Sequence, residues 1–223
     1  MATAETQTLT SACPSDFGPG NLLTTVTIAQ DAELTCCKTI IADFTLQFPG
    51  EAPRKVGDLK GYIVDKRIQG SSSKKKRWVQ ALLNWKRIGL ENTHYSLCSG
   101  LSTLYNARGV YRPRYKAYAK KLKTKRIVWI DRFMMCESYR ASGIGRVAFT
   151  DFHQVMKQYT SANRTRGAMK LLQPDIIDGG EIKNPPSRAD IQFKLMKFYT
   201  LQGYQRCHRK DPDEDYTYTL MLR

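Results

Sequence analysis

Residues 127–158 read, in four successive pieces, IVWIDRFMM, CESY, RASGIG and RVAFTDFHQVMKQ, and this order decides the fold. The piece Ile127–Met135 is short, apolar and rich in strand formers, which predicts a β-strand. In the last piece and just around it, Ile144, Val147, Ala148, Phe152, Val155, Met156 and Tyr159 recur at steps of three and four, which predicts an amphipathic helix. Between them lies Arg140-Ala141-Ser142-Gly143-Ile144-Gly145. The first N–H groups of a helix have no intrahelical acceptor and sit at the positive end of its dipole, so strand, glycine turn and helix N-terminus in succession make an anion site. Gly143 and Gly145 let a phosphate approach the backbone, and a pyrophosphate is the natural guest.

Upstream, Leu22–Ile28, Lys38–Phe48 and Leu59–Ile68 read as strands, with Asp31–Leu34 a turn or helix start and Lys55–Asp58 a connection. Residues 1–21 are small and polar and read as a mobile tail, leaving 22–223 as one domain. Around 70–126 that domain carries a helical, basic insert. Lys74–Arg77 is a solvated loop or an import patch, and Trp78, Leu82 and Trp85, then Leu97, Leu101 and Leu104, have helical spacing. Arg108 to Arg126 holds no acid and interleaves Tyr105, Tyr111, Tyr115 and Tyr118 with cations. It reads as a solvated loop capable of weak nucleic-acid binding by stacking.

Downstream, Met169–Leu172 reads as a strand extending toward Ile177, and Ser187 as the cap of a helix through Ile191, Leu195, Phe198 and Tyr199 that ends at Gly203. Tyr204–His208 and Tyr216–Leu222 read as a closing strand pair around the acidic turn Asp211–Asp215. The six cysteines form no C-x-x-C pair and no zinc spacing, so all are expected as reduced thiols in an intracellular protein without a bound metal. Cys36 and Cys37 are expected on opposite faces of a strand. No secretory signal and no membrane span is expected, and a net charge of +16 favours polyanionic partners.

The pattern R-x-x-G-x-G between a strand and a helix resembles the acyl-CoA-binding motif of the GNAT N-acetyltransferase superfamily. Lys197-Phe198-Tyr199-Thr200-Leu201-Gln202-Gly203-Tyr204 is similar to that family's later motif, a tyrosine four residues before a Gly-aromatic pair. The resemblance covers roughly Ile127 to Arg223. It implies a mixed α/β (α+β) fold with a mostly antiparallel central sheet flanked by helices, and an enzyme that moves an acetyl group from acetyl-CoA to a primary amine by direct attack. It further implies that Phe133, Met134 and Met135 pair with the pantetheine arm, and that Arg140, Ala141, Ser142, Gly143, Ile144 and Gly145 take the pyrophosphate with Arg146 adding charge. Tyr199 matches the family's acid, and Asp131 and Glu137 are the candidate bases. The chain departs from the pattern in its turn-rich stretch Leu172–Pro186, in the large insert before Ile127, and in Ser142, which stands where Gly or Lys is common. Against catalysis stand two readings: a non-catalytic CoA-binding protein, and a basic nucleic-acid-binding module on the same scaffold.

Overall fold

Alternation builds the first strands. Leu22, Thr24, Val26 and Ile28 are buried on one face, opposite Ile40, Ala42, Phe44 and Leu46 of the next strand, while the residues between them stay accessible. The computed structural model describes residues 4–14, 18–67, 78, 82, 94–162, 168–172, 188–207 and 220–223. Among these, β1 (Glu5–Ala12), β2 (Asn21–Gln30), β3 (Cys37–Gln47) and β4 (Arg54–Asp65) run antiparallel. Helix α1 (Tyr95–Leu104) follows, then the 3-10 turn Pro113–Tyr118 running into the single turn α2 (Ala119–Leu122). Strand β5 (Arg126–Met135) pairs antiparallel with β4, and α3 (Ile144–Ala162) crosses over to β6 (Met169–Leu172), which lies parallel to β5. After α4 (Arg188–Leu201), β7 (Gln205–Arg206) and β8 (Met221–Leu222) complete the sheet order β1-β2-β3-β4-β5-β6-β8-β7. The architecture is mixed α/β with a mostly antiparallel eight-stranded sheet.

Each sheet face has its own apolar core. On one, Tyr62, Val64, Ile127 and Trp129 pack with Leu97, Leu101 and Leu104 of α1 and with Tyr115 and Leu122. On the other, Phe44, Leu59, Val128 and Ile130 pack with Ile144, Phe149, Phe152 and Met156 of α3 and with Tyr199 of α4. Helix α1 packs tightly on the sheet at Gly100, where a Cβ would lie 2.1 Å from Trp129 Cη2. Glycine is therefore required at that crossing.

Several expectations need correction. The expected tail contains β1, which pairs with β2 from Glu5↔Ile28 to Ala12↔Asn21. The alternating Thr6, Thr8 and Thr10 are β-branched and suit a half-covered edge strand, although the composition is polar. The expected connection Lys55–Asp58 lies inside β4, which ends at Asp65 rather than Ile68. Cys36 falls in the β2–β3 turn, so strand alternation does not apply, and its Sγ lies 3.8 Å from that of Cys37. Asp31–Leu34 is a turn, with Asp31 Oδ1 accepting the amides of Glu33 and Leu34. Trp78 and Leu82 are helical and buried as expected. Trp85, the Lys74–Arg77 run, the Ile176–Ile177 extension, Ser187, His208 and the acidic turn lie outside the described residues. No helix among the described residues is long and apolar enough to cross a membrane.

Candidate functional site

The site begins with a fault in β5. Gly61 pairs with Ile130 and Lys60 with Arg132, so Asp131 is an extra residue, a β-bulge. A bulge reverses the alternation beyond it. Val128 and Ile130 face α3, and past Asp131 it is Phe133 and Met135 that pack on this side, not Arg132 and Met134. The parallel ladder with β6 runs only from Ile127↔Met169 to Ile130↔Leu172. Among the described residues, the edge of β5 from Asp131 to Met135 that faces away from β4 has no strand partner. Met134 O lies against Gly57 of β4, where a Cβ would come within contact, while Met135 O, on the open edge, accepts Arg140 Nε at 3.1 Å. Phe133 shares that open edge with Met135 by the two-residue period.

A 3-10 turn, Glu137–Tyr139, carries the chain from β5 to α3. Ala141 and Gly143 both have positive φ, 61° and 84°, so the turn folds back sharply on the helix. Ser142 Oγ donates to Tyr139 O at 2.5 Å and accepts the Ile144 amide at 3.4 Å. The amides of Ala141, Gly143 and Gly145 have no acceptor among the described residues. A Cβ on Gly145 would stand 3.3 Å from Met135 Cγ, so this glycine lets α3 start directly on the end of β5. Arg140 and Arg146 are exposed beside these donors. The set fits a pyrophosphate. Within it Ile144 contributes backbone only, because its side chain is fully buried, and Ser142 is spent closing the turn.

Tyr199 lies in an aromatic layer between α3 and α4. Its ring centroid is 5.5 Å from Phe149 and 5.1 Å from Phe198, and both of those rings contact Phe133, at 5.0 Å and 5.9 Å. Burial pushes the Tyr199 phenol above its ordinary value, so it stays protonated. Asp131 is half-buried and has no hydrogen bond or ion pair among the described residues. Pairing with the adjacent Arg132 does not occur, because Arg132 binds Asp58 at 2.8 Å. Glu137 is exposed on the 3-10 turn. No hydrogen bond joins Tyr199 to Asp131 or Glu137, so the three do not form a hydrogen-bonded cluster.

The sequence pattern did not single out three buried polar groups. Asp151 of α3 accepts Ser11 Oγ at 2.8 Å and Thr24 Oγ1 at 3.4 Å, tying α3 to β1 and β2, and burial raises its carboxyl pKa. His94, at the start of α1, meets Asp31 Oδ2 through Nε2 at 3.0 Å. Its Nδ1 lies 3.4 Å from Glu33 Oε2 without hydrogen-bond geometry, so that contact is only electrostatic. His153 is buried, with Nε2 3.3 Å from Tyr204 Oη, and burial pushes its pKa down to about 2. Such partners lie tens of residues apart in the chain, and no local spacing signals them. No three His, Cys, Asp or Glu side chains among the described residues group to hold a metal.

The basic stretch keeps its charge but not its stacking surface. Tyr105 and Tyr115 are buried, Tyr111 and Tyr118 pack half-buried against the same core, and Tyr105 Oη and Tyr118 Oη donate to the carbonyls of Leu122 and Arg206. Arg112, Arg114, Lys116, Lys120, Lys123 and Lys125 are exposed.

Compared with protein-family models, with curated proteins and with solved structures, the chain matches none.

Proposed function

We propose that the protein is an acetyl-CoA-dependent N-acetyltransferase of the GNAT type, acting on a primary amine. The observation that carries this reading is the half-length pairing of β5 with β6 among the described residues. There it ends at Ile130↔Leu172, while β5 continues to Met135 and then turns into α3 past amides with no acceptor among those residues. An open backbone edge that ends at a helix N-terminus suits a long ligand with an amide-bearing arm and a pyrophosphate.

Acetyl-CoA supplies an activated thioester to the attacking amine. Phe133 and Met135 offer their backbone groups to the arm, whereas the Met134 carbonyl faces β4. The amides of Ala141, Gly143 and Gly145, with Arg140 and Arg146, hold the pyrophosphate. Tyr199, kept protonated by burial, donates a proton to the departing thiolate. Asp131, half-buried at the bulge and unpaired among the described residues, accepts the proton from the amine, with Glu137 the second candidate. The test is release of free thiol from acetyl-CoA in the presence of a panel of amines, including protein N-termini, lysine peptides and polyamines. Amine-dependent release supports the reading, and release no faster than without enzyme across the panel contradicts it.

A further inference from the structure

A second cationic feature lies away from the RASGIG turn. An open groove of about 850 Å³ lies between α3, β6, the end of α4 and Arg223, and is lined by Arg146, His153, Lys157, Lys170, Gln202 and Arg223, among others. None of its described lining residues is acidic. Arg146 and Lys157 are eleven residues apart on one helix, about 16 Å, so the far end is a separate locality from the turn.

At that far end, like charges are held together by the fold. Lys170 of β6 and Arg223, next to β8, exchange backbone hydrogen bonds in both directions, 3.2 and 3.0 Å, which makes them directly opposed cross-strand neighbours. Opposed like charges are unfavourable. Lys170 is nonetheless half-buried, and burial, then Arg223, then Lys157, push its ammonium down to about 8. Arg223 is packed over Gly203, its Nε 3.4 Å from where a Cβ would sit. Beside them His153, only 6 % exposed, has an Nδ1 with no partner among the described residues. Its Nε2 meets Tyr204 Oη at 3.3 Å, so in the tautomer in which Tyr204 donates, Nδ1 carries a proton and no acceptor. Three cations and a buried, unpartnered imidazole nitrogen line this end of one groove.

We propose that the Lys157, Lys170, Arg223 and His153 end of this groove binds the phosphate group of a phosphomonoester. A phosphate dianion brings close to two charges and three acceptor oxygens, enough for these four groups, whereas a carboxylate brings one charge and two oxygens. The site is independent of acetyl-CoA binding at the turn.

The experiment is calorimetric titration of the full chain at low ionic strength with inorganic phosphate and with 5′-AMP, alongside Lys157→Gln, Lys170→Met and Gly143→Glu. Lys157 is exposed, so its substitution leaves the fold intact, which an unchanged melting curve verifies. The expected result is saturable binding that weakens about tenfold or more in each lysine variant, the loss of one charge-assisted hydrogen bond, and is unchanged in Gly143→Glu. Tighter binding of AMP than phosphate assigns a nucleotide source, and equal binding assigns the bare phosphoryl group; both support the site. The proposal is overturned by absence of saturable binding, by lysine variants that bind like wild type, or by loss confined to Gly143→Glu.

Discussion

The rings of Phe133 and Phe198 stack at 5.9 Å with their planes 13° apart, joining β5 beyond its bulge to α4 one residue ahead of Tyr199. The pair exists because the extra residue Asp131 turns Phe133 toward α3 and α4. Bulge, aromatic layer and candidate acid are therefore one construction, and the position of Tyr199 depends on the phase of β5.

That dependence has a thermodynamic signature. A double-mutant cycle of Phe133→Ala and Phe198→Ala, read by denaturant unfolding, should give a coupling of about 0.5–1.5 kcal/mol. Additive effects would mean that the rings touch without mutual stabilisation.

Gly100→Ala should cost about 1–3 kcal/mol through overpacking, because the new methyl meets the fully buried ring of Trp129. The denaturant midpoint measures it. A midpoint equal to wild type would show that α1 can move off the sheet freely.

Much of the fold was legible where burial follows a simple period. Leu22–Ile28 alternates and Ile144–Tyr159 repeats at helical steps, and both form the expected elements. Legibility failed where pairing overrides composition. The threonine-rich Glu5–Ala12 is a strand because β2 offers its edge, and Gly57 and Asp58 are strand residues because Met135 and Met134 lie opposite. In the candidate site, the turn from Arg140 to Gly145 could be read from its glycines. The bulge could not, since IVWIDRFMM carries no mark of which residue is extra. The interleaved tyrosines of the basic stretch suggested a stacking surface, but their rings are drawn into the core under α1, which only the tertiary structure reveals.

Two buried carboxylates should respond oppositely to acid. Burial alone would raise Asp31, but donors from His94, Leu34, Glu33 and Thr39 outweigh it and hold the carboxyl below its ordinary range. A depressed folded pKa gives stability that is present above the unfolded value of about 3.9 and lost as pH falls below it. Asp151 is raised by burial, so its contribution is lost as pH rises through that region instead. Between pH 6 and pH 2 the stability advantage of wild type over Asp31→Asn should therefore shrink, and that over Asp151→Asn should grow. Calorimetric melting at each pH measures both, and parallel trends would contradict the assignment.

Tyr199→Phe keeps the ring in the aromatic layer and removes only the hydroxyl. The rate of acetyl transfer to a verified acceptor should fall by roughly 10²-fold or more with acetyl-CoA affinity nearly unchanged, the scale for losing a positioned acid. Turnover within a few-fold of wild type would make Tyr199 a packing residue.

The most direct test of the account is the melting temperature of the protein with and without acetyl-CoA, in wild type, Gly143→Ala and Gly143→Glu. Gly143 has φ 84°, so both variants carry the same backbone strain, but only glutamate sets a negative charge against the pyrophosphate. At about 100 times its Kd a ligand adds about 2.7 kcal/mol, which for a chain of this size raises the melting temperature by several degrees. The account predicts that rise in wild type and Gly143→Ala and its loss in Gly143→Glu; an unshifted wild-type curve at millimolar acetyl-CoA would contradict it.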